Sequence, residues 1–233
     1  MTIFDQIVLL LTGLVAAYLV WRFWGRYSKE KNRYDIYYML GFVVLLVSGV
    51  LLIFGGWSVL GVPQVVTLTA FFPNAILFAG DWAIKSSPYV LPVATLIPLG
   101  ISMGLMHQFM PKYAKAYSWF ALIGLLAITV GSIGNITMLR KISVPVFHGV
   151  AGLIITVLPF YLCFGAKTAP RGFGAVGIGG LLISIGGMAL AFVVNGTQLL
   201  FFSLDVILTI LAPLLLLMVL AFAWGFMQDI KAS

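Results

Sequence analysis

The sequence predicts an all-α fold, a helix bundle that spans a lipid bilayer, and three observations carry that expectation. Hydrophobic residues make up 62% of the chain and charged residues 8%, with a mean hydropathy of +1.14. No soluble fold hides that much apolar surface from water. The apolar residues fall into eight stretches, each close to the roughly 20 residues a helix needs to cross the hydrocarbon core. The connectors between them are only a few residues long, so the 233 residues form one transmembrane domain with no soluble domain attached.

The expected spans are residues 4–23, 36–60, 65–84, 89–110, 118–139, 145–166, 174–194 and 201–226. Aromatic residues stand at several of their ends: Trp21, Trp24 and Tyr27, then Tyr34, Tyr37 and Tyr38, Trp57, Tyr113, Tyr117 and Trp119, and Trp224. Amphipathic rings settle at the headgroup level, so these residues read as interfacial anchors.

The formal net charge of +7 would suggest nucleic acid in a soluble protein. Here Arg22, Arg26, Lys29, Lys31 and Arg33 crowd the first connector. Such a cluster holds a loop in the cytoplasm, and binding to anionic headgroups follows from the same charges. The first segment has no basic residue before it, unlike a cleaved leader. It reads as a retained span with its N-terminus outside, in a multi-pass protein of the cytoplasmic membrane.

The segment 65–84 is where two signals disagree. If it crosses, the chain has eight spans and the basic residues divide eight against five in favour of the first-loop side. If it does not, there are seven spans and the division is ten against three. Charge bias prefers seven. Hydropathy prefers eight, because VVTLTAFFPNAILFAGDWAI would make a poor loop and a fold-back must satisfy its own backbone. Eight spans is the expectation, with seven as the alternative.

In the seventh span Gly177, Gly180, Ser184, Gly187 and Ala191 recur at steps of three and four, which puts them on one helix face. The fifth span repeats this with Gly124, Ala127, Gly131 and Gly134. Small-residue stripes let lipid-embedded helices approach closely, so both predict helix packing, inside the bundle or between copies. Prolines stand mid-span at Pro73, Pro98, Pro159 and Pro213. Each frees the carbonyl four residues earlier: Thr69, Ala94, Ile155 and Thr209. With Asn74 they form the candidate mid-membrane polar and kink positions, and broken helices of transporters bind ions at such carbonyls. No internal repeat relates the first four spans to the last four.

The up-and-down order of eight spans gathers Asp81, Asn135, His148, Asn195 and Asp205 at one membrane face, the face of the basic first loop, with His107 alone at the other. Asp205, Thr209 and Pro213 are spaced four apart and form a stripe expected to lead inward. Together Asp81, Asn135, His148, Asn195, Asp205 and Thr209 are the candidate polar vestibule, because intramembrane ionisable groups tend to face the bundle and mark pathways.

Several chemistries are weakened. His107 and His148 fall at opposite surfaces and cannot share a bis-histidine haem. All eight lysines lie outside mid-span positions, which argues against a retinal Schiff base. HExxH and GxSxG are absent, and Cys163 stands alone. Tyr34–Asp35 and Gly80–Asp81 are too incomplete for an aspartyl protease pair. No metal, cofactor or catalytic constellation is therefore expected. Three readings remain: a small transporter, channel or proton-coupled pathway, a non-catalytic subunit of a larger respiratory or translocation complex, or a membrane enzyme, for which the sequence offers no constellation. The expected partners are the bilayer and either further copies of the chain or the other members of a complex, not nucleic acid.

Overall fold

The computed structural model describes residues 1–56, 88–194 and 204–228, with 90, 188–194 and 204 as backbone alone. These residues are all-helical, without strands. Helix α1 (Ile3–Glu30) opens on a capping box in which the Thr2 hydroxyl accepts from the Asp5 N–H and the Asp5 carboxylate accepts from Thr2 N–H at 2.7 Å. This satisfies donors that a helix start otherwise leaves bare. The helix stops at Lys31, whose left-handed backbone (φ 58°) returns its N–H to Tyr27 O. The turn leads into α2 (Arg33–Gly55).

Helix α3 (Val90–Phe109) carries Pro98, and Met110 alone separates it from α4 (Pro111–Ile133). Pro111 suits the first turn of a helix, where its missing N–H costs nothing. Helix α4 ends in a Schellman turn: Asn135 takes a positive φ of 50° and Ile136 N–H bonds back to Gly131 O at 2.9 Å. Helix α5 (Thr137–Phe160) contains Pro145 and Pro159 and runs on into a single wide turn, Tyr161–Gly165. The wide turn follows directly on Pro159, the residue that cannot donate to the helix ladder. A short turn (Arg171–Phe173) leads into α6 (Gly174–Val194), and α7 (Leu204–Phe226) completes the set.

Six of these helices are long and apolar enough to cross a membrane: α1, α2, α3, α4, α5 with its wide turn, and α7. Chain neighbours pack against each other, α1 packs on α7, and α3 packs on α5. The result is a ring of α1, α2, α3, α5, α6 and α7, with α4 lying outside in the groove between α3 and α5. Of the six, α3 is the least apolar and the most enclosed.

The direction of each helix follows from its contacts. Tyr38 near the start of α2 meets Gln108 near the end of α3, and Gly41 meets Ile97 and Ile101, so the two run antiparallel. Phe23 meets Phe226, and Val8 and Leu9 share a cluster with Leu208 and Leu211, so α1 and α7 run parallel. The chain therefore leaves α2 and enters α3 at the same end of the bundle. A single crossing between them would put those ends on opposite sides. The expected span 65–84 lies outside the described residues, but the eight-span order is not supported. The alternating order of seven described helices agrees with the charge bias.

The ends differ sharply in charge. Arg22, Arg26, Lys29, Lys31, Arg33, Lys112, Lys115, Lys167 and Arg171 stand at one, the basic end, and Arg140 and Lys141 at the other, the far end. The main core lies toward the basic end, where Phe23, Tyr38, Phe42, Phe109, Phe173, Phe222 and Phe226 are buried together. A smaller cluster of Val8, Leu9, Leu52, Leu208, Leu211 and Ala212 packs α1, α2 and α7 toward the far end.

Glycines set how closely the helices approach. A methyl added at Gly100 would lie 2.7 Å from Gly41 N and 2.8 Å from Tyr37 O, both backbone atoms of α2. On α6, Gly177 and Gly180 lie against Thr156 and Ile155 of α5, and Ser184 lies over Gly152. Gly179 and Gly186 lie against Phe222 and Leu214 of α7. Helix α6 thus presents two thin faces and fits between two neighbours. Gly187 has open space beside it, and the side chain of Ala191 is outside the described residues. Gly124 is filled by Phe147 from α5, and Gly131 by Arg140.

Candidate functional site

Hydroxyl groups inside the bundle mostly fold back on their own helix. Thr12, Thr95, Ser118, Thr129 and Ser143 each donate to the carbonyl four residues earlier, at 2.7–2.9 Å. This is how a hydroxyl satisfies itself where water is scarce. The polar groups that reach across helices are fewer, and they occupy two levels.

The basic-end level is built by the first turns of α2, whose Arg-Tyr-Asp-Ile-Tyr-Tyr run (33–38) sends successive side chains to different neighbours. Asp35 is fully buried and accepts from Arg26 of α1, with Arg26 Nε at 2.6 Å. The Arg26 guanidinium lies over the rings of Phe23 (5.1 Å) and Tyr34 (5.4 Å), contacts that hold a cation at low hydration cost. Tyr38 donates to Gln108 of α3 at 2.9 Å, and both are buried. The Tyr37 ring lies 4.7 Å from that of His107, and His107 Nε2 is 2.9 Å from Ser118 Oγ on α4. Since Ser118 donates to Ala114 O, its oxygen must accept, which assigns the proton to Nε2 of His107. One turn deeper, Tyr117 donates to Ser102 at 2.7 Å, and Ser102 donates to Pro98 O at 2.6 Å.

The far-end level centres on His148. Helix α5 begins at Thr137, so His148 lies eleven residues in, about 16 Å along the axis, not at the start of a span. Ala151 and Ile155 on the same helix face are 0% and 1% exposed. Ala151 packs with Leu99 of α3 and Ala121 of α4, so that face points into the bundle. Among the described residues His148 Nδ1 is buried with no hydrogen-bond partner, as is Ser132 Oγ near the end of α4. A buried imidazole nitrogen without a partner is costly in an apolar medium.

The other candidate positions are scattered. Asn135 is exposed, forms the left-handed turn after α4 and accepts from Arg140 at 3.2 Å, so its place follows from helix termination. Asp205 and Thr209 are both exposed, and Thr209 donates to Asp205 O at 2.7 Å. Their stripe continues through the partly exposed Pro213 to exposed Leu217, Leu220 and Trp224. It therefore runs along the outer face of α7 and does not lead inward. The buried face of α7 carries Ile207, Leu211, Met218 and Phe222. Pro98 and Pro159 lie inside α3 and α5. Asp81, Asn195, Pro73 and Asn74 are outside the described residues.

Asn135, His148, Asp205 and Thr209 all belong to the far half of the bundle. That is the end opposite the basic first loop, and the reversal follows from the antiparallel contact of α2 with α3. Sequence reading passed over the Arg26–Asp35 pair, Gln108 and Ser102. The pair had a usable signal: two opposite charges on either side of a two-residue turn between apolar helices. Gln108 and Ser102 had none beyond sitting on the least apolar helix.

Among the described residues, no group of three His, Cys, Asp or Glu side chains is arranged to hold a metal ion. Compared with protein-family models, with curated proteins and with solved structures, the chain matches none.

Proposed function

We propose that this chain is a small membrane transport protein that passes protons or a small polar solute through the bundle, along the seam between α3, α4 and α5. The observation that carries this reading is His148: a titratable ring about three turns into α5 with a buried nitrogen and nothing in the described residues to satisfy it. Intramembrane ionisable groups are expensive and mark pathways by default. Water or a transported solute would supply the missing partner. The seam also holds Thr95, Ser102 and Tyr117 at successive depths, on or against the most enclosed helix. At the far end the turn between α4 and α5, with exposed Asn135, forms the polar mouth of this seam.

The basic end faces the cytoplasm in this reading, because basic residues hold loops inside. That leaves the N-terminus and the polar mouth outside, in the cytoplasmic membrane. Neither haem nor retinal belongs to the reading.

The test is flux in liposomes containing the purified protein. Under an imposed potential, wild-type vesicles should change internal pH, or release a small polar solute, faster than empty ones. His148→Ala should abolish the difference. Wild-type vesicles no leakier than empty ones to protons and to small solutes would end this reading.

A second reading, a non-catalytic subunit of a membrane complex, is favoured by the outward stripe of Asp205 and Thr209 on α7. An exposed carboxylate and hydroxyl on a lipid-side face suit a polar partner helix. Gentle extraction would then yield a particle many times the chain's 25.3 kDa, with other chains bound.

A further inference from the structure

We infer that Asp35 is a second proton-accepting site, at the basic end of the membrane, taking its proton on Oδ2. The inference rests on the transport reading for its role and on the geometry of α1 and α2 for its chemistry. A path that carries protons across a bilayer needs acceptors at more than one depth. His148 serves the far half, and at the basic end Asp35 stands one turn from Tyr38, which joins α2 to α3 of the seam through Gln108.

Asp35 is 0% exposed, and its two oxygens differ. Arg26 occupies Oδ1 through both Nε and Nη2. Oδ2 is buried and has no hydrogen-bond partner among the described residues. A carboxylate away from water persists either by pairing or by protonation, and here one oxygen is arranged for each.

Protonation of such a pair ordinarily strands the cation. Arg26 is protected from that, because it lies over Phe23 and Tyr34 and its side chain keeps 24% of its exposure. It can remain charged and partly hydrated while Asp35 becomes neutral. The step is a plain proton transfer: a hydronium ion at the basic end gives up a proton, water is left, and an O–H bond forms at Oδ2.

The charged and titratable groups around Asp35 are few. Helix α1 supplies Arg26 and Glu30, and Glu30 accepts from Asn32 at 2.6 Å. Helix α2 supplies Tyr34 and Tyr38. Through Tyr38, α3 supplies the neutral amide of Gln108, and α7 supplies the ring of Phe226.

Infrared difference spectra of the purified protein in lipid nanodiscs, recorded between neutral and acidic pH, test the site directly. Wild type should gain a carboxylic-acid carbonyl band that Asp35→Asn lacks and Asp35→Glu retains at a shifted position. If Asp35→Asn does not fold, the shift in Asp35→Glu carries the test alone. In liposomes Asp35→Asn should lose proton flux and Asp35→Glu should keep part of it. Spectra in which neither variant changes any carbonyl band would overturn the inference, whatever the flux. A band that behaves as expected in a protein that carries no flux would keep Asp35 as a proton site and discard the transport reading instead.

Discussion

The two ends of this bundle are tied in different ways. At the basic end, polar side chains find each other across helices: Arg26 with Asp35, Tyr38 with Gln108, His107 with Ser118. Seven buried rings from α1, α2, α3, α7 and the turn before α6 pack among them. In the far half Asp205, Thr209 and Asn135 are exposed, Thr12, Thr129 and Ser143 bond to their own helices, and His148 Nδ1 and Ser132 Oγ are buried with no hydrogen-bond partner among the described residues. Gln6 reaches across, to Ile53 O at 3.5 Å. The packing there is by small aliphatic clusters. Cross-helix polar contacts in a membrane add little net energy each, about 1 kcal/mol, but they fix register. The basic end is thus the part of the described structure that does most to specify how the helices are arranged.

The sharpest way to break this comparison is topological. In a Cys163→Ala background, Tyr89→Cys and Lys31→Cys should show opposite labelling by an impermeant thiol reagent in intact cells, Tyr89→Cys reacting and Lys31→Cys not. Equal labelling of the two would restore an odd number of crossings between α2 and α3, and with it the eight-span order.

Among stability effects the largest should come from Arg26→Ala, which leaves the buried Asp35 carboxylate alone. Breaking one partner out of a buried pair costs about 3–5 kcal/mol. Thermal unfolding in detergent should show this loss, and it should shrink when Asp35→Asn is added. A single variant as stable as wild type would mean that water already reaches the pair.

Close approach at Gly100 gives the next effect. Gly100→Ala should cost about 1–3 kcal/mol by overpacking against the α2 backbone, whereas Gly149→Ala, which has open space beside it, should leave the melting temperature unchanged. Gly180→Leu should likewise lower folded yield far more than Leu181→Ala, whose side chain is exposed.

The smallest pair of effects sets the ends directly against each other. Tyr38→Phe leaves the Gln108 carbonyl oxygen without its donor and should destabilise by about 1–2 kcal/mol. His148→Leu removes a ring nitrogen that has no partner and should be neutral or mildly stabilising. A His148→Leu variant that unfolds more readily than Tyr38→Phe would show that the far end is the better-tied one.

How much of this was legible in the sequence depends on what hydropathy measures. It locates apolar helices well, and α3, α6 and α7 begin and end close to the expected spans, whereas α1 runs on to Glu30. It does not say on which side a segment comes back, so it favoured an eight-span order that the antiparallel contact of α2 with α3 does not support, while the basic residues already favoured seven. Position along α5 was misread because Arg140 and Lys141 look like a loop, yet the helix starts at Thr137 and carries them, which moves His148 from the surface into the bundle. Spacing showed that Asp205, Thr209 and Pro213 share a face. It could not show which face looks inward, because a leucine packed on protein and a leucine facing lipid are the same residue. The glycines of α6 were half legible: the stripe with Gly177 and Gly180 stood out, and the second one with Gly179 and Gly186 did not. Most of the basic-end polar level was hidden, since its charges explain topology so well that a pairing among them is easily passed over.

The parallel contact of α1 with α7 has a consequence for how such a chain is made. Phe23, on the first described helix, is covered by Phe226, in the last turn of the last described helix. Until that turn is synthesised, the ring has a gap where α7 belongs, and Phe23, Tyr38 and Phe42 lack the rings that finally enclose them. The early helices must therefore wait in the bilayer as an incomplete arc, and losing even the final turn should leave the protein recognisable to quality control as unfinished.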